Sequence, residues 1–99
     1  LTGYIPLADG DIIRLKNVVM PDGVTDRNNM AYWYDNSKVY RGSFCLTTSH
    51  EYGKRWTPIF TDGNLTQFTV PSGYTGMYIR LNATQINETS VITINEVIE

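Results

Sequence analysis

The chain of 99 residues has one cysteine, Cys45, and one histidine, His50. A lone thiol excludes an intramolecular disulfide, and one Cys with one His falls short of the ligand set of a transition-metal site. Cys45 lies in the apolar run "SFCLT" and reads as a small buried hydrophobe. No apolar run reaches the roughly 18 residues that a membrane-spanning helix needs. Charged residues are sparse, at 18%, and sum to −2. Without a basic surplus, neither nucleic acid nor an anionic membrane is an expected partner, since both demand a basic face. There is no G-x-S-x-G elbow, no glycine-rich phosphate loop leading into a helix, and no signal peptide. The first residue is not Met, and the expectation is one domain, 1–99, cut from a longer protein.

What is present is a strand pattern. Apolar residues make up 41% and aromatics 12%, enough for a core without staples in a chain of this length. The hydrophobic period is two. "DIIRLKNVV" sets Ile13, Leu15 and Val19 against Arg14 and Lys16. "NLTQFTV" sets Phe68 and Val70 against Gln67 and Thr69. "GMYIRLNA" sets Met77, Ile79, Leu81 and Ala83 against Tyr78, Arg80 and Asn82. "SVITINEVI" turns Ile92 and Ile94 inward. One apolar and one wet face mark antiparallel sheets. Turn residues separate the runs at 8–11, 21–23, 35–37, 61–64 and 71–73. The expectation is an all-β, antiparallel two-sheet sandwich, jelly-roll-like, of about eight strands: 3–7, 11–19, 30–35, 38–47, 56–61, 64–70, 77–82 and 90–98. Its core holds Ile13, Leu15, Phe44, Phe68, Ile79, Leu81, Ile92 and Ile94. "MAYWYD" leaves open whether Trp33 or its neighbours Tyr32 and Tyr34 face in, because both faces are aromatic or apolar.

The search for chemistry centres on "TTSHEYGKRW", 47–56. His50 is the only imidazole base. Its neighbours Ser49 and Glu51 would point to the opposite face of a strand, so no triad forms. The chain is read as a non-enzyme. Oxygen ligands cluster in "PDGVTDRNN", where Asp22, Asp26 and Asn28 form a weak calcium candidate. No defined calcium-loop spacing is met, and Asp and Asn that cap their own turns account for them. No cofactor is expected. The three N-x-T triplets at Asn64, Asn82 and Asn87 fit chance in a chain rich in Asn, Ser and Thr. The aromatics remain. An exposed ring stacks on a sugar's C–H face while nearby polar groups bond its hydroxyls. The candidate carbohydrate-binding residues are therefore Glu51, Tyr52, Arg55 and Trp56, on an exposed loop over 48–55. Against this stands the core reading of Trp56, since Trp is a natural half-buried strand residue. Tyr40 and Tyr74 also adjoin polar residues.

Three stretches, "TGYIPLADGDIIRLKNV", "YWYDNSKVYRGS" and "FTVPSGYTGMYIRLNATQINETSVITINE", together resemble a β-sandwich module of phage and prophage tail proteins of Gram-positive hosts: tail fibres, minor structural proteins and baseplate appendages. The resemblance covers most of the chain except 46–63 and rests on strand and turn signatures. It implies an accessory module in a virion tail or extracellular setting, aiding attachment to a host cell-surface glycan. The alternative is a structural or oligomerisation domain of the appendage with no small ligand. It carries over no catalytic or binding residues.

Overall fold

The computed structural model describes residues 1–20, 29–45 and 53–98. Among them there is no helix, and nine strands form two sheets: β1 (Ile5–Pro6), β2 (Ile12–Lys16), β3 (Asn29–Tyr34), β4 (Tyr40–Cys45), β5 (Gly53–Arg55), β6 (Pro58–Asp62), β7 (Leu65–Thr69), β8 (Tyr78–Leu81) and β9 (Val91–Ile94). The first sheet runs β1-β8-β3-β4-β5 and the second β6-β7-β2-β9. Early strands pair with late ones, β1 with β8 and β2 with β7, while β3–β4 and β6–β7 are antiparallel hairpins with register shifts, in β3–β4 between Asn29 and Ala31 and between Trp33 and Tyr34. All pairings are antiparallel except β4–β5.

The alternation of the sequence becomes the layering of the sandwich. Ile13 and Leu15 of β2 and Phe68 of β7 point in from one sheet. Ala31, Trp33, Phe44, Ile79 and Leu81 point in from the other, joined in the gap by Trp56 and Tyr74. Ile92 and Ile94 pack against this core from the edge strand β9, partly buried. The ambiguity in "MAYWYD" resolves with Trp33 inward. Its cross-strand partners are Ile79 and Gly42. A Cβ built on Gly42 would lie 2.7 Å from Trp33 Nε1, and one on Gly76 2.8 Å from Trp33 Cε3. Two absent side chains thus leave the indole its room, which is what a glycine inside a strand commonly signals.

Two expected strands are shorter than the alternation suggests, and for β2 the reason lies in the backbone. Asn17 adopts φ 55°, a left-handed conformation that Asn tolerates better than most residues. This stops β2 and moves Val19 off the core face; Val18 packs against the core instead, and Val19 is exposed. The Asn17 side chain is tied to Asn64 and Thr89. Met77 is likewise exposed rather than inward, because β8 begins only at Tyr78. The expectation of a loop through 48–55 needs correction at its end. The backbone of 53–55 is β5, in parallel register with Ser43, Phe44 and Cys45. The rest of that segment, His50 included, lies outside the described residues, as do Asp22, Asp26 and Asn28.

Candidate functional site

With Trp33 facing in, its neighbours must face out, and the outer surface of the five-stranded sheet follows from strand register. Tyr78 on β8 pairs with Tyr34 on β3, which pairs with Tyr40 on β4. One step along, Arg80 pairs with Tyr32, and Tyr32 with Ser43, which is fully buried, so the exposed face ends there. Tyr4 precedes β1, and because Ile5 packs against the core, Tyr4 turns outward beside Tyr78. Five of the seven tyrosines of the chain therefore share one face.

The rings form a connected chain. Tyr78 and Tyr4 are 6.2 Å apart between centroids, Tyr4 and Tyr34 5.0 Å, Tyr34 and Tyr40 6.1 Å, and Tyr40 and Tyr32 6.2 Å. Three of these contacts are edge-on, the arrangement favoured by ring quadrupoles. Edge contacts hold the rings without covering all their faces: Tyr40 stays 49% and Tyr4 40% exposed. Each ring is also fixed by a strand or a latched segment. Thr2 secures the stretch before β1, with its N–H on Leu81 O, its hydroxyl receiving Leu81 N–H, and its carbonyl receiving Arg80 Nε. A rigid aromatic surface loses little entropy on binding.

Two cations stand at the Tyr4–Tyr78 end of this surface. The Lys38 ammonium stands 5.1 Å from the Tyr4 centroid and 5.6 Å from that of Tyr78, and the Arg80 guanidinium 5.1 Å from Tyr4, all within cation–π range. Lys38 reaches its place through an unusual turn. Asp35 Oδ1 accepts the N–H groups of Ser37 and Val39, and Asp35 Oδ2 accepts Arg41 Nε at 3.0 Å. These bonds set the hairpin between β3 and β4 and hold Lys38 at φ 61°. The Val39 N–H, above all, with Arg41 and the Ser37 N–H, holds the Asp35 carboxyl below the usual carboxylate range, against some opposing desolvation.

The sequence-derived candidates fare differently. Trp56 is a correction. It is 0% exposed and its ring lies between Phe44, at 4.7 Å, and Phe68, at 4.3 Å, so it offers no face to a sugar. The cause is position: Trp56 N–H bonds Cys45 O just past β5, which directs the residue into the gap between the sheets. Glu51 and Tyr52 lie outside the described residues; of Arg55, the backbone in β5 is described. Tyr74 is buried, its hydroxyl donating to Leu7 O at 3.0 Å. Of the described aromatics singled out for their polar neighbours, Tyr40, Trp56 and Tyr74, only Tyr40 is on the exposed face. Among the described residues no group of three or more His, Cys, Asp or Glu could hold a metal ion. A cleft of about 600 Å3 opens between the sheets beyond the end of β2, around Leu15, Val18, Met30 and Phe68. Its described lining has no charged group and its one ring, Phe68, is buried. The tyrosine face is thus the better-equipped surface. Compared with protein-family models, curated proteins and solved structures, the chain matches none.

Proposed function

We propose that the chain is a non-catalytic carbohydrate-binding module of a phage tail or host-attachment protein, and that it meets its glycan on the outer face of the five-stranded sheet. One observation carries the reading: five tyrosines on a single, strand-fixed face. Tyrosine supplies an apolar ring for the sugar's C–H face and a hydroxyl for its polar edge. The tail setting comes from the resemblance of the strand and turn motifs. The affinity of one copy should be weak, because an open face buries little of its ligand. A glycan array probed with wild type, Tyr40→Ala and Phe60→Ala tests the assignment. Binding lost in Tyr40→Ala and kept in Phe60→Ala, which alters the other sheet, supports it. Binding that survives Tyr40→Ala and Tyr32→Ala together refutes it.

A second reading, an assembly domain without a small ligand, draws on the edge strand β6. Ile59 and Phe60 are 54% and 45% exposed there. A stable oligomer in solution that Ile59→Lys dissolves, with no glycan bound by either form, would favour it.

A further inference from the structure

Granting the tyrosine face as the glycan site, we infer that its ligand is an anionic glycan, one whose repeat carries a carboxylate or a phosphate. Neutral sugars present hydroxyls that donate as well as accept, so a site for them needs acceptors. The tyrosine hydroxyls of this face accept as well as donate, but among the described residues it offers no free carboxylate. Among the described residues its bordering carboxylate is Asp35, and both oxygens are engaged, Oδ1 by Ser37 and Val39 and Oδ2 by Arg41. The tyrosine hydroxyls donate readily to an anion. Cations, by contrast, are in surplus. The salt bridge of Arg41 to Asp35, at 2.9 Å, is the single one among the described residues, and it leaves Lys38 and Arg80 without a carboxylate. Arg80 commits Nε to Thr2 O, and its terminal nitrogens border the rings. A chain of net charge −2 therefore carries a local positive face.

Lys38 adds an independent sign. Its φ of 61° is a conformation that glycine or asparagine would adopt with less strain. A lysine held there by the Asp35 turn places an ammonium over Tyr4 and Tyr78. Strain kept at one residue of a surface turn points to a role for its side chain. An acceptor-only group on the sugar would meet Lys38 and Arg80 while the pyranose rings lie on Tyr34 and Tyr40.

Titration calorimetry and affinity electrophoresis separate the possibilities, with polygalacturonate as the carboxylate polymer, phosphomannan as the phosphate polymer, and unphosphorylated mannan and dextran as neutral ones. Wild type should bind at least one anionic polymer, less tightly as NaCl rises, and the polymer preferred identifies the anionic group. Lys38→Gln should weaken that binding about threefold per polymer site, the order of one exposed charge pair, and Arg80→Gln similarly. Tyr40→Ala should abolish it. Neutral mannan bound as tightly as phosphomannan, through Tyr40 and unchanged in Lys38→Gln, would overturn the anionic assignment and leave the glycan reading standing. Failure of every polymer to bind would remove both.

Discussion

Gly42→Ala probes the packing on which the tyrosine face depends. In an ordinary strand position alanine is better than glycine by roughly 0.5–1 kcal/mol, because glycine loses more backbone entropy on folding. Gly42 has no positive φ that would forbid a side chain. Its new methyl would nevertheless sit 2.7 Å from Trp33 Nε1, 2.8 Å from Cε2 and 2.9 Å from Cζ2. All three atoms belong to one rigid ring, which Gly76 and Tyr74 bound on another side. The indole cannot swing away locally, so it must shift bodily. Overpacking of this kind costs about 1–3 kcal/mol. The net of the two effects is a destabilisation of roughly 1–2 kcal/mol, or about 5–15 °C in Tm for a domain of this size. Urea denaturation gives the sign directly. In a Trp33→Phe background the smaller ring withdraws, and Gly42→Ala should become neutral or stabilising, with a coupling of about 1 kcal/mol or more between the two sites. A Gly42→Ala protein more stable than wild type would refute the seating of Trp33, and with it the outward assignment of Tyr32 and Tyr34.

Trp56→Ala should cost about 3–5 kcal/mol, because it empties the space between Phe44 and Phe68; a loss below 1 kcal/mol in a chemical melt would place the ring at the surface after all. Tyr74 has its hydroxyl pKa pushed up to about 12 from 10.0, by burial first and by the charge of Asp11 second. Between those values the folded state holds a proton that the unfolded state releases, so stability falls as pH rises above 10. Tyr74→Phe should flatten that fall while losing about 1 kcal/mol at neutral pH with the bond to Leu7 O, and an unaltered alkaline slope would contradict the burial of the hydroxyl. Asp35 runs the other way. Its lowered pKa means that the turn's stabilisation is present above about pH 4 and lost as pH falls through the depressed value; a carboxyl titration by NMR at or above 3.8 would contradict the turn.

Much of the fold was legible because burial in a strand follows parity. Once Ile79 and Leu81 are inward, Tyr78 and Arg80 must be outward, and the sequence shows this directly. The all-β sandwich and six inward residues, Ile13, Leu15, Phe44, Phe68, Ile79 and Leu81, follow from the same rule. Parity fails where the backbone changes hand. Asn17 at φ 55° breaks the phase of β2, and no pattern of apolar residues records that. It is silent, too, where both faces are aromatic, as in β3. There the missing clue was on the partner strand. Phe44 inward makes Gly42 inward as well, and a glycine opposite a position that can hold an indole favours Trp33 inside. Combining that step with Tyr4 and Tyr78 would have assembled most of the tyrosine face without coordinates, but not Tyr40: parity with Gly42 and Phe44 would turn it inward, and it faces out because the register shifts between Trp33 and Tyr34. The sequence instead drew attention to a dense polar stretch, in which proximity along the chain concealed the opposite fates of its residues. Trp56 is core, and no local pattern marks the point where a chain leaving an edge strand dives between two sheets.

The central claim is that glycan meets the tyrosines of the five-stranded sheet. Selective labelling of the tyrosine rings, followed by NMR titration with cell-wall polysaccharide, addresses it with one measurement. The account predicts that the ring signals of Tyr4, Tyr32, Tyr34, Tyr40 and Tyr78 shift with a common binding curve while that of buried Tyr74 stays in place. Saturable shifts confined to other residues, with these five rings unmoved, would contradict it.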